Sequence, residues 1–118
     1  MPQADLDKPI YLALYKLILY LYTAIKYFPK EYKYTLGQDI LSLVWETLDW
    51  VILANTVENV EKKKYIGKAV SSFNSLKYRL RVANDCEILS PKKYSYIIKQ
   101  SIEVEKMLRG WFSWSKRL

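Results

Sequence analysis

Apolar residues recur along this chain at spacings of three and four, the period of helices that pack on one side. Four such stretches are separated by short polar breaks, and no segment alternates as a strand would. The first predicted helix spans about residues 7–28, starting at Asp7 or Pro9. Proline suits a first helical turn, and Pro29 stops the helix. A polar linker, Lys30 to Tyr34, follows. The second helix covers about 35–54, because Thr35 and Gln38 have capping-box spacing. Asn55 and Glu58 offer a second box, so the third helix runs over about 56–87. Ser90-Pro91 supplies an N-cap oxygen and a first-turn proline for the fourth helix, about 91–109. Gly110 fits the position just past its end, leaving 110–118 as a tail. Four helices with short connections predict an all-α fold: one domain, residues 1–118, folded as an antiparallel up-down four-helix bundle.

The seams differ between the two halves. In the third helix Ile66, Ala69, Phe73, Leu76, Leu80 and Ala83 form one narrow core stripe. Tyr94, Ile97, Ile98, Val104, Leu108 and Trp111 do the same in the fourth. The first helix has a core seam of Ile10, Leu14, Leu17, Ile18, Leu21, Ile25 and Phe28. Its opposite side still carries Leu12, Tyr15, Leu19 and Tyr22. The second helix has Leu36, Ile40, Leu43, Val44 and Val51 on one arc, then Leu41, Trp45, Leu48 and Ile52 on another. That apolar arc is about twice the ~100° that one core needs. A patch of this size on a soluble chain predicts a subunit interface. An unusually broad monomer core is the alternative.

The longest apolar run, Ile10 to Phe28, raises the question of a membrane span. Lys16 near its middle, Lys26 and five tyrosines argue against one. Asp5 and Asp7 precede the run and no small-residue cleavage site follows, so no signal peptide is expected.

Charge sharpens the division. The 118 residues carry 19 lysines and arginines against 12 acids, a net +7. Residues 1–58 hold five basic and seven acidic side chains, net −2; residues 59–118 hold fourteen and five, net +9. Lys64, Lys68 and Arg79 fall on one stripe of the third helix, with Ser71, Ser72 and Ser75 beside them. Lys63, Lys77 and Arg81 form a flanking row with Asn74. Lys92, Lys99 and Lys106 share an outward face of the fourth helix. Uniform cations on one face suit a phosphate backbone, and hydroxyls can donate to it. A solvated face is the plain alternative. The C-terminal run from Arg109 to Arg117 interleaves aromatics with bases, including Lys116 and Arg117, a composition that can stack bases and hold phosphates. Trp111 and Phe112 read more simply as a cap on the bundle.

Catalytic chemistry is poorly provided for. There is no histidine, and Cys86 is the single cysteine. Histidine triads, histidine-containing metal sites and intramolecular disulfides are thereby excluded. Gly37, Gly67 and Gly110 stand apart, so no glycine-rich loop cradles phosphates. Asp39 and Glu46 are two isolated carboxylates, weak evidence for a metal. Asp85 and Glu87 flank Cys86 and disfavour its thiolate. No catalytic residue, metal or cofactor is expected, and the cysteine count fits a reducing cytoplasm.

The segment Phe28-Pro29-Lys30-Glu31-Tyr32-Lys33-Tyr34-Thr35-Leu36-Gly37-Gln38 resembles the hallmark of the accessory variability determinant proteins of diversity-generating retroelements. These look like relatives of the four-helix-bundle proteins encoded by intervening sequences of bacterial 23S ribosomal RNA genes. The helix lengths, the Ser-Pro start of the fourth helix and the tryptophan-containing tail extend the likeness over nearly the whole chain. The retroelement branch fits better, because the ribosomal relatives usually show Thr or Ser at the place of Gly37. Asp39 departs from the pattern, standing where many relatives carry a basic residue. The resemblance implies a barrel-like ring, a homopentamer of four-helix bundles. It implies a basic accessory protein that binds RNA or DNA and associates with a reverse transcriptase. Together the two make cDNA from a template-repeat RNA, with mutations at template adenines. Phe28, Pro29, Tyr34, Thr35, Leu36, Gly37 and Gln38 carry structural roles in this reading. Pro29 stops one helix, Thr35 caps the next, and Gly37 permits close packing. Two other readings fit the same residues: an adaptor that docks its basic face on an acidic protein patch, and a protein of the ribosomal intervening-sequence type.

Overall fold

Proline at the first helical position and apolar residues three and four apart do organise the chain as helices. A computed structural model describes residues 8–118. Its elements are α1 (Pro9–Ile25), the single turn α2 (Lys30–Lys33), α3 (Leu36–Thr56), α4 (Asn59–Asp85) and α5 (Pro91–Ser115), with no strand among the described residues. The start at Asp7 considered for the first helix lies outside the described residues. The four long helices pack in the cyclic order α1, α3, α4, α5, each against its two neighbours. The molecule measures 45 × 27 × 22 Å, and α4 alone extends about 40 Å at ~1.5 Å per residue.

The predicted seams meet in the middle. Leu14, Leu17, Ile40, Val44, Val51, Phe73, Leu76, Leu80, Ile97 and Val104 are all buried in one core, and Ile66 is fully buried as well. Tyr94 and Trp111 pack against its edge. Hydroxyl side chains sit inside as well, among them Thr47, Ser72 and Ser101. Thr47 Oγ1 and Ser72 Oγ are hydrogen-bonded at 2.9 Å across α3 and α4. Thr47 also donates to the Leu43 carbonyl at 2.8 Å, and Ser72 to Ala69 at 3.1 Å. Spacing alone puts Ser72 beside the lysine stripe; its hydroxyl is instead satisfied within the core, where α3 and α4 meet.

Helix ends depart from the sequence expectation in instructive ways. Neither capping box forms. Thr35 lies at the N-cap of α3 with φ −115° and ψ −90°, not the extended backbone that a box requires. The single turn α2 stands directly before it and leaves carbonyls to satisfy. Thr35 Oγ1 therefore donates to the Glu31 carbonyl at 2.8 Å, and Gln38 Nε2 to that of Lys33 at 3.5 Å. At the next junction α3 runs on through Asn55 to Thr56, and Glu58 precedes α4 without a side-chain cap. Lys62 takes over. Its Nζ donates to the carbonyls of Ala54 at 2.8 Å and Val57 at 3.0 Å, a cation placed on the negative end of α3.

The start of α5 follows the Ser-Pro signal: Ser90 Oγ accepts from the Lys93 amide at 3.2 Å. Its end does not stop at Gly110. No glycine has positive φ, and α5 continues to Ser115. Trp111 packs on the core and Ser115 is buried, so packing beyond Gly110 outweighs the ~1 kcal/mol that glycine costs in a helix. The exit of α4 shows the left-handed residue instead. Glu87 has φ 59°. The Ile88 amide reaches the Ala83 carbonyl at 2.8 Å and the Glu87 amide that of Asn84 at 3.0 Å, a Schellman pair.

Candidate nucleic-acid interface

The excess of positive charge is carried by α4, α5 and the residues after them. Lys64, Lys68 and Arg79 are exposed on α4. Arg79 Nη1 lies 3.4 Å from the Ser75 carbonyl of its own helix. Lys68 Nζ sits 5.0 Å above the Trp50 ring, and Lys64 Nζ 5.4 Å above that of Tyr65. On α5, Lys92, Lys99 and Lys106 are exposed, as are Lys116 and Arg117 beyond its last turns. Lys116 lies over Phe112 at 4.8 Å. Among the described residues none of these eight cations forms an ion pair.

The flanking row behaves differently. Lys77 is bonded to Glu105, tying α4 to α5, and about two thirds of each side chain is covered. Arg109 Nε approaches the same carboxylate at 3.6 Å. Burial, and secondly the nearby Arg109 charge, push the Lys77 pKa below the ordinary lysine value. Lys77 is thus an interhelical tie, which corrects its place among the free phosphate-binding candidates. Arg81 Nε is 3.7 Å from Asp85 Oδ2, an exposed pair one turn apart and worth little in water.

The apolar excess lies at α1 and α3. Leu12, Tyr15, Leu19 and Tyr22 are 47%, 56%, 52% and 49% exposed, one ridge along α1. Trp45 is exposed beside them, and its Nε1 donates to Tyr22 Oη at 3.0 Å. Leu48 and Ile52 are half-buried against the core. Leu41 lines a recess on this face beside Trp45 but is mostly covered. It is 8% exposed and packs within the bundle, because the α1–α3 contact covers the near edge of the second arc. The recess, about 530 Å³, opens next to Trp45, with Tyr22, Gln38, Ser42, Glu46 and Asp49 also on its walls.

The hallmark segment builds a tight corner. Phe28 is buried, and the Pro29 carbonyl accepts from both Tyr32 and Lys33 at 2.9 Å. Gly37 is buried where α3 passes the end of α1: a Cβ there would stand 2.8 Å from Ile25 Cγ2. Tyr34 stays exposed and Leu36 half-buried.

One arrangement escapes spacing rules. Trp50 of α3 and Tyr65 of α4 stack with centroids 6.0 Å apart and planes 21° apart, directly beneath the Lys64 and Lys68 ammonium groups. Only the pairing of two helices brings them together.

Cys86 is exposed and free. No group of three or more His, Cys, Asp or Glu among the described residues could hold a metal ion. None of the described helices is long and apolar enough to cross a membrane. No curated protein matches the chain. A family model described as bAvd-like matches residues 10–115, from the first turn of α1 to the last of α5. With the Phe-Pro corner, the tight Gly37 crossing and four long helices all inside that match, the chain belongs to the bAvd-like family.

Proposed function

We propose that this chain is a non-catalytic accessory protein that binds RNA or DNA through the cations of α4 and α5 and partners a retroelement reverse transcriptase in the cytoplasm. Its partner makes the mutagenic cDNA; the chain supplies a scaffold and a polyanion-binding surface. Family membership supports the partnership. The observation that carries nucleic-acid binding is the exposed stripe of Lys64, Lys68 and Arg79, free of ion pairs. Ordinary solubilising faces mix signs; here acids seldom interleave, Glu61 in the first turn of α4 being the one acid on the stripe.

The bundle is read as antiparallel and up-down. Lys8 meets Asn55 while Tyr22 meets Trp45, so α1 and α3 pair in opposite directions. The α1–α3 apolar ridge then joins copies into a ring, a pentamer by the family resemblance. A ring repeats the α4 stripe once per subunit and concentrates its field.

The test is a Lys64→Glu/Lys68→Glu/Arg79→Glu variant. Gel shifts over a salt series with purified protein should show weaker binding across sequences and a flatter salt slope. Unchanged binding by the folded variant refutes the assignment. An unmutated protein that shifts no nucleic acid favours an adaptor that meets only protein.

A further inference from the structure

Duplex nucleic acid hides the faces of its bases, whereas a single strand offers them to any aromatic surface next to its phosphates. The α3–α4 face has such a surface. Trp50 and Tyr65 are both partly exposed and stack at 6.0 Å. Lys68 and Lys64 lie above them at 5.0 and 5.4 Å. These two lysines are one turn apart on α4, about 6 Å along the axis, and both are exposed. We propose that Trp50 and Tyr65 form a base-stacking shelf that makes this face a site for single-stranded nucleic acid, with phosphates held by Lys64 and Lys68.

The proposal rests on the nucleic-acid reading above and narrows it. In the free protein each ammonium covers an aromatic face. An arriving base replaces the ammonium on the ring and releases it to a phosphate. The exchange is favourable because a stacked base binds an aromatic ring more strongly than an exposed cation does. The ammonium groups also keep the rings from presenting a bare apolar patch to water. Shelf and stripe are continuous: Ser71, Ser75 and Arg79 extend along α4 from Lys68, so one strand can follow the helix past the rings.

The experiment compares a labelled oligothymidylate of roughly twenty nucleotides with a duplex of equal length, using the full chain. Trp50→Leu and Tyr65→Leu should each lower single-strand affinity about tenfold or more and leave duplex affinity within about twofold. Trp50→Phe and Tyr65→Phe should keep most of it. Equal losses on both probes, or no loss, overturn the shelf. Because Trp50 also packs against the core, a second readout uses the unmutated chain. Photocrosslinking to a 5-iodouracil oligonucleotide should place adducts on Trp50 or Tyr65, and adducts confined to other residues overturn the proposal. Unmutated protein that binds duplex as tightly as single strand overturns the shelf alone. Protein that binds neither probe removes the nucleic-acid reading itself and the shelf with it.

Discussion

A Cβ on Gly37 would stand 2.8 Å from Ile25 Cγ2 and 3.3 Å from the Tyr32 carbonyl oxygen. Neither neighbour is the free end of a long side chain, so α3 must move away from α1 or the Phe28-Pro29 corner must open. Overpacking of this kind costs about 1–3 kcal/mol, while alanine gains up to ~1 kcal/mol over glycine within a helix. The clash wins, and Gly37→Ala should lower stability by about 1 kcal/mol in urea denaturation. Gly110 has the opposite surroundings. It is helical, exposed, and nothing lies within 4 Å of its would-be Cβ. Gly110→Ala should therefore raise stability by up to ~1 kcal/mol. The sign decides between two placements of the residue. A glycine terminating the helix in the left-handed region would make alanine unfavourable, so destabilisation by Gly110→Ala would sink the extension of α5 to Ser115.

Between elements, the legible and the hidden separate along a clear physical line. The six seam residues of α4 recur by three and four, and all six are buried, because a helix carries its packing instructions in its own period. The Ser90-Pro91 start also acts within one turn. Lys62, Lys77 and Ser72 gave no such signal, since each is positioned by a partner on another segment. Lys62 reaches back to the carbonyls ending α3, Lys77 reaches Glu105 on α5, and Ser72 meets Thr47. The candidate interface divides in the same way. The stripe of Lys64, Lys68 and Arg79 is a spacing on one helix; the Trp50–Tyr65 stack beneath it is a product of the α3–α4 pairing. This distinction predicts how neighbouring lysines respond to neutralisation. Lys68→Met removes a free cation and should lower the magnitude of the salt slope of nucleic-acid binding by about 1. Lys77→Met removes a cation already neutralised by Glu105 and should leave the slope unchanged in the same titration. Equal slopes for the two variants and the unmutated protein would put Lys68 outside the interface.

At the scale of the molecule, two surfaces of opposite character lie on different helix pairs. The α1–α3 side carries the half-exposed ridge of Leu12, Tyr15, Leu19 and Tyr22 with Trp45 beside it. The α4 and α5 sides carry the exposed cations. A bundle that remained monomeric would leave this continuous ridge in water, where each half-exposed apolar side chain forgoes about 1 kcal/mol of burial, half of what a fully exposed one would. Association through the ridge would recover that energy and leave the cations free. The hydrogen bond from Trp45 to Tyr22 fixes both rings before association, which lowers the ordering cost of the contact. Light scattering coupled to size exclusion should therefore find a particle several times the 14.0 kDa chain. Tyr15→Glu/Leu19→Glu places two charges on the centre of the ridge without touching a buried residue. That variant should elute at the mass of one chain and keep its helical circular dichroism. Its nucleic-acid affinity should also fall, although no cation has been removed, because the field of repeated stripes is dispersed into single copies. An unmutated protein of 14.0 kDa would sink the association. An oligomeric Tyr15→Glu/Leu19→Glu variant would move the interface off the α1 ridge.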